Sequence, residues 1–261
     1  MSTDARVITE VASGVAGLIA GSFAGVLVER VPRKESIVSP ASHCDACGTP
    51  LRGQDNVPIV SYLMLGGRCR SCRARIPASN LFVELATCVL FVVLAWRLPT
   101  EWALPGYFVV ATALVALSVI DLRLRRLPSA IIYWTGALAA LLLVLASAVT
   151  GDWGRLVSMA AGAAGCFAFF FVVFFIAPKG IGFGDVRLAA LCGGALGWIG
   201  AREIPFGVLV GFLLAAVPAV ALLILGKATR KSQLAFGPYV ALGSVVGICF
   251  GRAVLHSVGL F

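Results

Sequence analysis

Residues 107–121 read Tyr-Phe-Val-Val-Ala-Thr-Ala-Leu-Val-Ala-Leu-Ser-Val-Ile-Asp, and residues 122–128 continue Leu-Arg-Leu-Arg-Arg-Leu-Pro. An apolar run stops on one carboxylate, and a basic segment ending in Pro128 follows at once. Extended back to Trp102, the run is long enough as a helix to cross a hydrocarbon layer about 30 Å thick. Comparable runs lie near 8–28, 80–97, 130–149, 156–177, 204–225 and 236–258, with a shorter, glycine-rich one near 186–200. The 261 residues are 60% hydrophobic and 13% charged, which argues against a soluble fold. The expectation is an all-α, polytopic membrane helix bundle of about eight transmembrane helices. The short run either spans with help from its neighbours or re-enters.

The first run, Val11 to Val28, follows a segment carrying Asp4, Arg6 and Glu10 instead of a basic start, so it reads as a retained helix and not a cleaved signal. Lys and Arg set the expected orientation. Eight lie in 29–79, three in 121–129, two in 178–187 and three in 226–235, while the alternate loops hold only Arg97, Arg155 and Arg202, each near an acid. The positive-inside rule then places the N-terminus outside and the four basic loops in the cytoplasm. The net charge of +9 is accounted for by topology and anionic lipid, without a nucleic-acid partner.

The loop 29–79 carries Cys44-Asp-Ala-Cys47 and Cys69-Arg-Ser-Cys72, with twenty-one residues between the pairs. Each pair presents two thiolates from one tight turn, and the intervening chain returns to close a tetrahedral site, for which Zn2+ is the expected ion. Two disulfides are the alternative, disfavoured by a reducing cytoplasm. Four thiolates leave no open coordination position, so such a metal is structural and orders a polar loop. Cys88, Cys166, Cys192 and Cys249 lie in apolar runs and read as small buried hydrophobes.

Among twelve acidic residues, Asp121 and Asp185 stand out because each adjoins an apolar run at the same predicted cytoplasmic level. Ionisable groups in a membrane are expensive and functional by default, although an interfacial cap paired with Arg is the plain alternative. Gly180, Gly182 and Gly184 crowd around Asp185, giving backbone able to take strained conformations, approach another chain closely and admit an extended peptide. Two facing carboxyls in a low-dielectric site cannot both ionise easily, so one keeps a proton while the other activates water, the aspartyl-protease device. Helix polarity suggests that Asp185, at a helix N-terminus, starts as base and Asp121, at a C-terminus, as acid. Glu84, early in the second run, reads equally as an intramembrane functional carboxylate or as an interfacial partner for loop arginines.

These residues resemble the bacterial type IV prepilin peptidases, a family of membrane aspartyl proteases, over nearly the whole chain. The resemblance is carried by Gly21-Ser-Phe23 with Arg30-Val-Pro32, the cysteine pairs with Asp55-Asn56-Val-Pro58, Ile120-Asp121 with Leu127-Pro128, the GxGD motif Gly182–Asp185, and Phe236-Gly-Pro238. It implies an inner-membrane endopeptidase that removes the basic leader of prepilins or pseudopilins at the cytoplasmic face. Asp121 and Asp185 would be its catalytic pair and 80–261 its peptidase domain, after a first helix 1–28 and the zinc loop 29–79. Many members also methylate the new N-terminus with S-adenosylmethionine, and Glu84, Asp55 and Arg30 are candidates for that step or for leader binding. Gly25 stands where the family usually has Asn, and Arg187 where Lys is common. Gly17, Gly21 and Gly25 also form a small-residue stripe suited to close helix packing. A noncatalytic scaffold of a pilus or secretion machine, and a cation-handling membrane protein, are the rival classes.

Overall fold

The computed structural model describes residues 3–39, 41–44, 46–98, 101–176, 180–225, 235–257 and 259. Its helices are α1 Thr3–Arg30, α2 Val60–Met64, α3 Ala78–Arg97, α4 Leu104–Leu124, α5 Ser129–Thr150, α6 Gly154–Ile176, α7 Phe183–Ile199, α8 Glu203–Ile224 and α9 Gly237–Ser257. Among the described residues, seven helices are long and apolar enough to cross a membrane; α2 and α7 are not among them. The chain is an all-helical multi-pass membrane protein, and the eight runs read from the sequence correspond to α1 and α3 to α9. Backbone contacts divide it into two compact units, Met1–Trp96 and Arg97–Phe261.

In the first unit α1 and α3 run antiparallel, with Gly14 opposite Val92, Gly17 opposite Cys88 and Gly21 opposite Glu84. A Cβ on Gly17 would stand 2.7 Å from Cys88 Cα, and one on Gly21 would stand 2.6 Å from Glu84 Cα. Small residues let the backbones touch, which is how helices associate where no water drives them together. Gly25 reads from the sequence equally as part of this stripe or as a functional departure, and among the described residues nothing lies within 4 Å of the place its Cβ would occupy. Its lack of a side chain is therefore not explained by packing.

In the second unit the short run becomes α7, seventeen residues of which twelve are buried. Its glycines allow that burial: Gly193 lies against the Gly162 carbonyl and Cys166, and Gly197 against the Ser158 carbonyl. The apolar surface of α7 is thus spent on α6 and its other neighbours rather than on lipid. Its C-terminal end is held by polar contacts. Tyr107 Oη donates to the Ala195 carbonyl at 2.6 Å, and Trp198 Nε1 donates to Ser147 Oγ at 3.3 Å. Arg252 donates to the Ile199 carbonyl at 2.8 Å, satisfying one of the helix's last acceptors, and pairs with the buried Glu203 at 3.4 Å.

Candidate active site and candidate metal centre

Asp121 and Asp185 are 5% and 8% exposed, the lowest of the aspartates in the described residues. Asp121 lies one turn before the end of α4, where Arg125 takes the left-handed conformation (φ 51°, ψ 43°) and donates its N–H to the Asp121 carbonyl at 2.8 Å. The chain then turns through Leu127 and Pro128 into α5, whose first helical residue is Ser129. Asp185 sits in the first turn of α7. Its N–H donates to the Gly182 carbonyl at 3.0 Å, and its Oδ2 accepts the Gly182 N–H at 2.9 Å.

The two turns meet on Leu127. A Cβ on Gly184 would come within 2.9 Å of Leu127 Cβ, and one on Gly237 within 3.3 Å of Leu127 Cδ2. Gly237, the first residue of α9, donates its N–H to Asp121 Oδ2 at 3.0 Å, and a Cβ there would stand 2.9 Å from the same oxygen. Leu127 is therefore a spacer whose two sides carry the glycines that abut the aspartates. Asp185 Oδ1 is buried and accepts no hydrogen bond among the described residues.

Two details differ from the sequence reading. The glycines of the GxGD motif are not strained: Gly182 is extended (φ −82°, ψ 156°) and Gly184 is helical, so neither uses a positive φ. What Gly184 supplies is room for Leu127. Helix polarity also no longer separates the two acids, because Asp121, though near the C-terminal end of α4, accepts a hydrogen bond from the N-terminal residue of α9. Each carboxyl therefore accepts one glycine N–H at a helix start. Gly237 and Leu127 had been read only as parts of motifs, and nothing local in the sequence marks their contacts. Gly180 is exposed at the turn before α7, outside these contacts. Arg187 lies along the rings of Phe183, 4.5 Å from its centroid, and of Tyr133, at 5.6 Å.

The first unit brings the four cysteines together. The Sγ atoms of Cys44, Cys47, Cys69 and Cys72 all lie within 4.8 Å of one another, and none is in a disulfide. Four sulfurs about 2.3 Å from one tetrahedral ion stand about 3.8 Å apart, and Cys44 Sγ and Cys72 Sγ are separated by 3.8 Å. The cluster fits a metal ion. It is built from one turn used twice. In each half the residue after the second cysteine has positive φ (Gly48 70°, Arg73 60°). The first cysteine exchanges backbone hydrogen bonds across its turn, Cys44 with Gly48 and Thr49 and Cys69 with Arg73 and Ala74. An isolated bridge closes each turn, His43 to Pro50 and Arg68 to Arg75. Hydrogen bonding with Thr49 lowers the Cys47 pKa to about 6, while the neighbouring thiols of the same cluster push Cys72 up to about 11.

The remaining candidates also lie in the first unit. Asp55 pairs with Arg70 at 2.6 Å, which lowers its pKa. Arg30 donates to the Ser36 carbonyl at 3.0 Å. Glu84, read as a functional carboxylate or an arginine partner, accepts the backbone N–H of Ile59 at 2.8 Å, and no ion pair joins it to an arginine among the described residues. Cys166, Cys192 and Cys249 are buried as expected, and Cys88 is half-buried.

The fold and site define a multi-pass membrane protein with two buried aspartates brought to one leucine and, in its other unit, a cluster of four thiols that could hold a metal ion. Residues 15–98 match the bacterial peptidase A24 N-terminal domain and residues 108–224 the type IV leader peptidase family. A prepilin leader peptidase/N-methyltransferase of Pseudomonas aeruginosa is 30% identical, over 92% of this chain and 90% of that protein. One from Burkholderia pseudomallei is 31% identical over 91% and 84%, and one from Aeromonas salmonicida 29% over 91% and 89%. No solved structure matches. The chain belongs to the type IV leader peptidase family.

Proposed function

We propose that this chain is an aspartyl endopeptidase that removes the leader of membrane-inserted prepilins or pseudopilins, with Asp121 and Asp185 as its catalytic pair. The observation that carries this reading is the convergence of two buried carboxyls, from α4 and α7, on the Leu127 spacer, each accepting one glycine N–H. They hold one proton between them and titrate as a unit. A water lying against Asp185 Oδ1, the carboxyl oxygen with no donor among the described residues, loses a proton to whichever carboxyl of the pair is ionised as its oxygen bonds to the scissile carbonyl carbon. The protonated carboxyl then supplies a proton to the leaving amine as the C–N bond breaks. With equal hydrogen bonding to both acids, the pair and not either residue alone defines base and acid.

In this reading the N-terminus is outside, and the cysteine loop and the aspartate pair face the cytoplasm, following the Lys and Arg distribution. Cys44, Cys47, Cys69 and Cys72 hold one structural Zn2+, which closes the loop and takes no part in hydrolysis. Methylation of the new N-terminus with S-adenosylmethionine is proposed by analogy with the N-methyltransferase relatives, with Glu84, Asp55 and Arg30 as its candidates. The test is cleavage of a prepilin in membranes. Asp121→Asn and Asp185→Asn, each made singly and each still inserted, should abolish it, and unimpaired cleavage by either would refute the pair.

A further inference from the structure

Glu84 is an acid in the first half of an apolar span, and the structure shows what it holds. It lies six residues into α3, about 9 Å from that helix's start, and opposite Gly21, nine residues or about 14 Å from the end of α1. Counted along either helix, that position falls within an apolar span long enough to cross a layer about 30 Å thick. At that depth it accepts the N–H of Ile59, which belongs to the cysteine loop. Ile59 has φ 60° and ψ −52°, a conformation rare for a β-branched residue. Irregular backbone is tolerated at membrane depth where its polar groups are paired inside the protein, and Glu84 supplies that pairing.

The helix α2 begins at the next residue. Val60, Leu63 and Met64 share one face at i, i+3 and i+4 and are 50%, 67% and 80% exposed. The ring of Tyr62, between them, instead packs on Gly67, at the foot of the second cysteine turn. Either side of Glu84 on α3, Phe82 and Leu85 are likewise 65% and 45% exposed on a span that faces lipid. The loop that carries α2 holds eight Lys and Arg against four Asp and Glu in residues 29–79, a balance suited to anionic headgroups.

From this we infer that residues 57–64 are a membrane-dipping element: Glu84 draws Ile59 into the bilayer, and Val60, Leu63 and Met64 are covered by the acyl chains of an anionic leaflet. The cysteine loop is thereby fastened to the lipid surface as well as to its two flanking helices. This does not depend on the peptidase reading.

The test places a photoreactive benzoylphenylalanine at Leu63 or at Met64 in the full chain, reconstituted in nanodiscs of phosphatidylethanolamine and phosphatidylglycerol. Intact mass after irradiation should show lipid adducts within about twofold of those from the same probe at Phe82 and well above those at the exposed Arg52. Wild-type protein provides a readout without substitution, since Met64 in nanodiscs should be oxidised by hydroxyl radicals at least tenfold more slowly than in the unfolded chain. Adducts at both positions no higher than at Arg52, rapid Met64 oxidation, or crosslinks to a second copy or another protein instead of lipid would overturn the inference.

Discussion

In the first unit, four thiols within 28 residues of one another are gathered by two copies of a single turn. In the second, Asp121 accepts a hydrogen bond from a residue 116 positions away, and Asp185 sits beside a glycine whose nearest contact is a leucine in the turn between α4 and α5. The cysteine cluster is local chemistry that brings its own geometry. The carboxyl pair has no geometry apart from the helices that carry it, so its precision is the precision of the bundle. The two regions should therefore fail in different ways.

The largest effect should separate them completely. Asp121→Asn or Asp185→Asn is expected to lower prepilin cleavage by at least about 1,000-fold, within the range for loss of acid–base catalysis. Metal content and the protease resistance of residues 41–75 should be unchanged. If either substitution also emptied the metal site, the independence of the two regions would be wrong. As the proposed catalytic pair, Asp121 and Asp185 should also give kcat/KM a bell-shaped pH dependence, because that role needs one carboxyl ionised and one protonated. Either Asn variant would flatten one limb of any residual activity.

Gly237→Ala comes next. Its Cβ would stand 2.9 Å from Asp121 Oδ2, so the carboxylate must move or the N–H bond must lengthen. A displacement approaching 1 Å is worth on the order of 100-fold in rate. The measurement is kcat against KM, with the loss expected in kcat. Gly184→Ala strikes the same site from the other side, where its Cβ would stand 2.9 Å from Leu127 Cβ, and pairing it with Leu127→Gly, which removes that atom, should restore part of the activity. Additive losses in that double variant would remove Leu127 as the spacer.

The cysteine site should respond in the opposite sense. Cys44→Ser, or extraction of the metal by a chelator, is expected to make trypsin cut within residues 41–75 on the order of tenfold faster, because a four-thiolate metal orders the loop that binds it. Peptidase activity should fall far less than in the aspartate variants. A loss as deep as theirs would mean that the loop takes part in presenting substrate.

How much of this was legible in the sequence follows from the same contrast. The positions of the helices were readable because apolar length is the dominant signal in a membrane chain, and the metal cluster was readable because its two turns are written in consecutive residues. Asp121 and Asp185 were visible as acids out of place. The contacts that hold them were not, since Gly237 and Leu127 act only through distant neighbours. Helix polarity misled for the same reason: it was judged along α4, while the N-terminus that matters to Asp121 belongs to α9. Glu84 was found as an anomaly, but its partner is a backbone N–H, which no side-chain pattern announces.

The smallest expected effect concerns the glycines of α1, where the sequence repeat is regular and the structure is not. Gly17→Ala puts a Cβ 2.7 Å from Cys88 Cα, a backbone atom that cannot swing aside, so α1 and α3 must separate and the first unit should lose thermal stability. Gly25→Ala meets nothing within 4 Å. It should leave packing intact and gain roughly 0.5–1 kcal/mol from the better helix propensity of alanine. Thermal unfolding of the two variants, in the same lipid or detergent, should therefore shift in opposite directions. If Gly25→Ala were as damaging as Gly17→Ala, the space beside Gly25 would have to be filled by something that neither α1 nor α3 supplies.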